Sequence, residues 1–474
     1  MVLEITGSRI LAPYVGTSLP VWTSIIGVIL GCLSLGYWLG GKIADEKPTI
    51  KPLIIILLSA GISISVIPIL SVLILTLLIS LFSDIKLNAV LSTLILFFVP
   101  SILLGMVSPY AIRLKLHQLN KSGRIAGELY AFSTIGSILG TFLAGFVLLA
   151  YFSSSQILFF LSASLLILSL FIAVKERIRI KFTILLIFFF FALNITLSFL
   201  FNSKDSSVKE FDSQYNKILI YDGIDSKTKK EIRVMRINTE LHSAMFLDSD
   251  ELVFEYTKYY RLAKYFNPEI KSALKLGGGA YSYPKDFLKQ FPIANIDVVE
   301  IDSKVTELAR KYFRLKDNPR LKIYHEDGRT YINRTGKKYD VIFVDVFNSY
   351  YSLPYQLTTK EAIAKMNGLL SENGLLITNL ISSLEGEKAQ FLNAELATYR
   401  SVFPYVYVFA TKPQLPDEVQ NIILVALQRQ PNSFESDDDE LASYLKNKVE
   451  IIFPKTRILT DDFAPVDQYI MKLL

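Results

Sequence analysis

Four short β-prone runs in the second half of this chain each end in residues able to do chemistry. Ser272-Ala-Leu-Lys-Leu276 runs into Gly277, Gly278 and Gly279, and the run Asn295-Ile-Asp-Val-Val-Glu-Ile-Asp302 carries Glu300 at its end. Leu321-Lys-Ile-Tyr-His325 runs into Glu326, Asp327 and Gly328, and Tyr339-Asp-Val-Ile-Phe-Val344 into Asp345. Carboxylates and glycines at the carboxyl ends of parallel strands are where an open α/β sheet holds a ligand. The glycines let the chain turn tightly and approach that ligand closely. Glu300, 23 residues after Gly277, stands where a ribose diol would find an acceptor for its two hydroxyls. Asp327 is placed to accept from an exocyclic base amine, and Asp345 lies beside the point where a transferred group would sit. Singly each is a solvated strand end or a packing turn; in order, they point to a nucleoside-type cofactor.

The phosphate machinery is missing, which narrows that cofactor. Gly277-Gly-Gly-Ala-Tyr-Ser282 lacks the G-x-G-x-x-G spacing that seats a pyrophosphate on a helix N-terminus, and no Walker lysine motif occurs. A nucleoside without phosphates fits better, namely an S-adenosyl sulfonium. His117, His242 and His325 are too scattered for a zinc cluster, and the single cysteine, Cys32, allows no disulfide and no thiolate metal site. No metal is expected.

The elements that must position these residues read as α/β. Helices are expected from Asp250 to Phe266, from the glycines to Gln290, at Ser303 to Phe313, Thr358 to Leu370 and Glu385 to Arg400. They alternate with the four runs and with strands at 375–379, 405–409 and 421–427, giving a doubly wound, Rossmann-like domain over 249–474. Ahead of it, 204–248 reads as a small β-sheet subdomain with strands at 217–221, 231–237 and 242–246.

The first 203 residues are of another kind. The 474-residue chain is 51% hydrophobic with 20% charged residues and a mean hydropathy of +0.37, more apolar than a soluble protein of this size. Its net charge of +6 averages two unlike halves. Up to Ser203 there are 13 basic and 6 acidic residues; the remainder has 37 and 38, which argues against a basic nucleic-acid surface. Six crossings are expected, at 20–41, 53–82, 88–112, 130–151, 155–174 and 183–202, so 1–203 is a multi-pass helical membrane domain. Pro68 makes the second run either one kinked helix or a helix plus a re-entrant piece. Basic loops at 42–51, 113–124 and 175–181 are cytoplasmic by the positive-inside rule. Counting six crossings then puts the polar half outside, against the cytosolic supply of an S-adenosyl cofactor. Cofactor supply decides for a cytoplasmic catalytic domain, with a miscount at the Pro68 run as the expected cause. Ile26-Gly-Val-Ile-Leu-Gly31 and Ile135-Gly-Ser-Ile-Leu-Gly140, continuing to Gly36 and Gly145, read as a helix-packing seam or as an internal repeat. Residues 1–9, with Glu4 and Arg9, are too short to span. They lie along the interface or belong to a helix that a longer relative completes.

Leu276-Gly-Gly-Gly279, Val299-Glu-Ile-Asp302, the Asn318-Pro-Arg-Leu-Lys-Ile run into Glu326-Asp-Gly328, and Tyr339 to Asp345 together resemble the successive cofactor motifs of the spermidine synthase (polyamine aminopropyltransferase) family. Arg9-Ile-Leu-Ala-Pro-Tyr-Val-Gly16, Gly36-Tyr-Trp-Leu-Gly-Gly41 and Leu459-Thr-Asp-Asp-Phe-Ala-Pro-Val466 resemble hallmarks of its membrane-fused branch. The resemblance implies transfer of an aminopropyl group from decarboxylated S-adenosylmethionine to putrescine, giving spermidine and methylthioadenosine. It implies Asp345 as proton acceptor, Glu300 at the ribose, Asp327 and Gly328 at the adenine, Gln214 at the nucleoside, and a homodimer. Two departures stand out. Ala280 replaces an Asp that binds the aminopropyl ammonium, and Asn348 replaces an Asp that binds the acceptor amine. Cation recognition then moves to Asp250, Glu251 and Glu255 or to Asp461 and Asp462, with Tyr256, Tyr259 and Tyr260 as site walls, or it is absent and these are surface acids and packing tyrosines. The substrate-binding set is Asn348, Tyr256, Asp461 and Asp462. Two other functions compete: an S-adenosylmethionine-dependent methyltransferase acting on a membrane-associated substrate, since Ala280 no longer selects the decarboxylated form, and a polyamine transporter or sensor whose adenosyl domain only binds.

Overall fold

The computed structural model describes residues 1–82, 84–116, 122–177, 207–238, 240–346, 353–451 and 456–473. Contacts divide the chain into two compact units: residues 1–206 with 212–217, and residues 207–211 with 218–474.

The first unit is helical. Helices α2 (Leu19–Glu46), α3 (Ile50–Leu81), α4 (Ile85–Lys115), α5 (Ser122–Phe142) and α7 (Ser154–Lys175) carry its long apolar runs. α5 continues through a π-helical segment, Leu143–Leu148, into the short α6 (Leu149–Tyr151). Among the described residues, five helical stretches are long and apolar enough to cross a membrane. The run expected at 183–202 lies outside the described residues. α3 passes through Pro68 as one helix, so the re-entrant alternative falls. α1 (Val2–Val15) packs against α2, α3, α4 and α7.

Glycines do make a seam, and of the expected ones Gly36 is in it. Gly27, Gly31, Gly136 and Gly145 face open space. The close approach is between α2 and α4: a Cβ on Gly36 would come within 2.3 Å of the Ile102 carbonyl oxygen, and one on Gly40 within 2.6 Å of the Met106 Cα. Gly36 and Gly40, four apart on one helix, thus allow backbone-to-backbone packing. At one end of that pair the Tyr110 hydroxyl donates to the carbonyl oxygens of Lys47 and Thr49, tying the loop between α2 and α3 to α4.

The second unit holds two sheets. The smaller has the order β1 (Lys209–Asp212), β2 (Lys217–Ile224), β3 (Glu231–Ile237), β4 (Glu240–Phe246). The larger has eight strands in the order β12-β10-β11-β9-β8-β5-β6-β7. β5 (Ser272–Leu276), β6 (Asn295–Val299), β7 (Leu321–Tyr324), β8 (Tyr339–Val344) and β9 (Leu370–Ser382) are parallel, while β10 (Tyr405–Ala410), β11 (Gln420–Leu427) and β12 (Lys448–Val449) are added antiparallel. Strand order reverses between β5 and β8, the switch point at which such sheets bind ligands. Their alternate side chains feed two cores. Leu274, Leu276, Ile342 and Val344 enter one; Ala273, Val341 and Phe343 enter the other with Tyr260, Tyr283 and Phe287. The expected helix from Asp250 to Phe266 is broken into Glu255–Lys258, a 3-10 turn and Leu262–Phe266.

Candidate active site

The site forms where β5 and β8 lie side by side. Gly277 leaves β5 with φ +90°, and a Cβ there would lie 2.0 Å from the Asp345 carbonyl oxygen. No other residue type satisfies both the backbone angle and that approach. The Asp345 N–H donates to the Leu276 carbonyl at 3.0 Å, so the two strand ends are locked together. Across the sheet, the Gly277 N–H donates to the Val299 carbonyl at 2.9 Å. Ser243 on β4 holds the far side of the turn: its Oγ accepts from the Ala280 N–H at 3.0 Å. The smaller sheet is thereby fastened to the glycine loop.

Glu300 serves that loop before it serves any ligand. Its Oε2 accepts from the Gly278 and Gly279 N–H groups at 2.9 and 3.3 Å, and its Oε1 from the Asp302 N–H at 2.9 Å. Burial raises its pKa, and the backbone donors oppose that shift. A carboxylate has about four acceptor positions; three are used here, so a diol would compete first for the long bond to Gly279. Asp327 caps the helix Gly328–Arg334, its Oδ1 accepting from the Thr330 N–H at 2.8 Å and the Thr330 hydroxyl at 3.1 Å. Gly328 faces Leu357, which a Cβ would approach at 3.3 Å.

Asp345 is held on both oxygens. Lys275 Nζ donates to Oδ2 at 2.9 Å and to the Gly277 carbonyl at 2.8 Å; Asn379 Nδ2 approaches Oδ1 at 3.4 Å. Asn379 is itself oriented by Asn421 at 3.0 Å. The side chains of Lys275 and Asp345 are 4% and 16% exposed, so this is a shielded ion pair. His242, on β4, lies against Gly279. Burial lowers its pKa to about 4, with the attraction of Asp345 opposing and the repulsion of Lys275 assisting. Tyr256 and Tyr260 are raised well above the phenol range, by burial first and then by Asp345.

The expected residues therefore separate into groups. Gly277, Gly278, Gly279, Glu300 and Asp345 converge on one turn, with Tyr256 beside Asp345; Asp327 and Gly328 begin the helix after β7. Ala280 is fully buried in an apolar cluster with Ile220, Met235 and Leu308, so position 280 serves packing here. Asp461 is taken by Arg329 at 2.6 Å and the Thr359 hydroxyl at 2.6 Å, and Asp462 is exposed. Gln214 belongs to the first unit, where its carbonyl accepts from Arg9 at 2.7 Å. Asn348 lies outside the described residues. Lys275, His242 and Asn379 were not anticipated. The signal for Lys275 was present, because a lysine inside a strand buried on both faces is costly unless it is paired.

Known proteins bear on this geometry. The Spermine/spermidine synthase domain profile matches residues 260–435. A polyamine aminopropyltransferase of Vibrio vulnificus (strain CMCP6) is 29% identical over 304 residues, covering 58% of this chain and 96% of that protein. One from Pyrobaculum calidifontis is 31% identical over 223 residues, covering 43% of this chain and 73% of that protein. The chain belongs to the spermidine synthase family. Among solved structures it is similar to a probable spermidine synthase from Corynebacterium glutamicum ATCC 13032, at 27% identity and a TM-score of 0.43, over 50% of this chain and 85% of that one. The family profile spans β5 to β11 and so takes in the glycine loop, Glu300, Asp327 and Asp345.

Proposed function

We propose that this family member transfers an aminopropyl group from decarboxylated S-adenosylmethionine to a primary amine, with putrescine as the acceptor that the resemblance implies and spermidine and methylthioadenosine as products. The observation that carries the reading is Asp345, fixed at the end of β8 and backed against the glycine loop that Glu300 holds. Glu300 takes the ribose hydroxyls, and Asp327 with Gly328 the adenine edge. The amine nitrogen forms a bond to the carbon beside the sulfonium as the carbon–sulfur bond breaks, and sulfur keeps the electron pair. An alkylamine with an ordinary pKa near 10 is almost wholly protonated at neutral pH, so its proton must be removed for attack. Asp345 receives it on Oδ1, the oxygen turned to the long contact from Asn379 and not to the Lys275 ammonium. The fixed carboxylate also aligns the nitrogen for in-line displacement.

The first unit fits a membrane anchor, with the second unit on the cytoplasmic side. Incubating the purified chain with decarboxylated and intact S-adenosylmethionine and an amine panel, read by mass spectrometry, tests the reaction. Methylthioadenosine and an amine heavier by one aminopropyl group are expected. Consumption of the intact form to S-adenosylhomocysteine would favour the methyltransferase instead. Asp345→Asn should lower kcat by at least about 100-fold with donor binding retained in calorimetry. Unchanged turnover would remove Asp345 as the proton acceptor.

A further inference from the structure

The site just described carries a cation of its own. β5 is a central parallel strand whose neighbours Ala273, Leu274 and Leu276 are 0–1% exposed. A lysine in such a strand gives up hydration that valine or isoleucine would not. Lys275 recovers it through Asp345 Oδ2 at 2.9 Å and the Gly277 carbonyl at 2.8 Å, with the Tyr260 ring centroid 5.9 Å away. Packing alone would favour an apolar residue at position 275, so the ammonium is there for what it does to Asp345.

What it does is cancel charge. His242, with a pKa near 4, is neutral at pH 7, as are Tyr256, Tyr260 and Asn379. The acids considered above for cation binding are engaged elsewhere among the described residues. Asp250 is paired with Lys285 and Lys289, Glu255 with Lys227 and Lys258, and Asp461 with Arg329. Glu251 and Asp462 are exposed. Among the described residues, a diamine whose first nitrogen reaches Asp345 meets a Lys275–Asp345 pair with no net charge, and the acids considered for its second charge are paired elsewhere or exposed.

We propose that Lys275 is a specificity-determining residue that removes the site's attraction for the distal cation of an acceptor, tuning the enzyme toward singly charged amines. The proposal rests on the aminopropyl-transfer reading. Comparing 1-butylamine with putrescine isolates the effect, since both present the same first nitrogen to Asp345 and differ in the far charge.

The test uses the full chain in detergent micelles with decarboxylated S-adenosylmethionine. In Lys275→Met, which leaves Asp345 uncompensated at short range, the putrescine-to-butylamine ratio of kcat/KM should rise at least about tenfold. The rise should come through KM, and Lys275→Arg should keep the wild-type ratio. A ratio within twofold of wild type in a folded Lys275→Met protein would overturn the proposal. Calorimetry of both amines on the wild-type protein with methylthioadenosine bound needs no variant. Putrescine should bind no more than about twofold tighter than butylamine, and a tenfold advantage would overturn the proposal. If no amine is aminopropylated, the transfer reading fails, and the binding ratio still decides the role of Lys275.

Discussion

At the scale of residues, the site depends on atoms that have no room to move. Gly277→Ala would drive a methyl group into the Asp345 carbonyl oxygen, 2.0 Å from the ideal Cβ, at a φ of +90° that alanine resists. The β5 and β8 ends must then part and Asp345 shifts, and a displacement of about 1 Å costs on the order of 100-fold in rate. We expect kcat/KM to fall by at least that factor in steady-state kinetics while the far-UV circular dichroism stays as in the wild type. His242 sets a pH dependence of a different kind. Its pKa is about 4 in the folded chain against an ordinary value near 6.5, so between those pH values the unfolded chain binds a proton that the folded one does not. Stability is therefore full above pH 6.5 and falls as the pH drops toward 4, by about 2 kcal/mol after discounting for the ring's partial exposure. In His242→Gln that part of the slope should vanish when thermal midpoints are compared at pH 7 and pH 4.5. An unchanged slope would place the acid sensitivity elsewhere.

At the scale of elements, the segment bearing Tyr256 and Tyr260 is tied to the helix after the glycine loop by the Tyr283 hydroxyl, which donates to the Tyr260 carbonyl at 3.2 Å, and by a guanidinium. Arg261 donates to both oxygens of Asp286, at 3.0 and 2.7 Å, and to Glu440 at 2.6 Å. Asp286 is 6% exposed at the side chain. Arg261→Met leaves that carboxylate buried and unpaired, which costs about 3 kcal/mol. The double variant Arg261→Met, Asp286→Leu should recover most of the loss in chemical denaturation, and no recovery would show that the pair matters through more than charge. The sequence made the strand ends legible because each acid or glycine directly follows a short apolar run. β3, β5 and β8 were located at their observed bounds. The partners of those ends were not legible. Lys275, Asn379 and His242 lie on β5, β9 and β4, and only tertiary pairing brings them to Asp345. The continuous helix over 250–266 failed for a related reason. Tyr259 and Tyr260 are buried against Tyr444 and Tyr283, and the chain there takes the 3-10 turn Tyr259–Arg261.

At the scale of the whole molecule, the proposed membrane anchor leaves two sides for the second unit, and the helices choose between them. α3 is a single helix through Pro68, so the Pro68 run does not account for a miscount. With α2 leading to the basic loop at 42–51 on the cytoplasmic side, the alternation of α3, α4, α5 and α7 returns the chain to that side at Lys175. The ion pair of Arg113 with Asp45, at 2.9 Å, joins the C-terminal ends of α4 and α2, which this count places on one side. Five crossings thus agree with a cytoplasmic second unit, and the count turns on residues 183–202 alone. A labelling experiment settles it. Cys32 is the only cysteine and is buried, so Cys32→Ser supplies a blank background and Lys316→Cys an exposed reporter on the second unit. A membrane-impermeant maleimide should label that cysteine only after the cells are permeabilised. Labelling of intact cells would put the catalytic unit outside, where a cytosolic donor does not reach it, and would force a search for another source of the sulfonium.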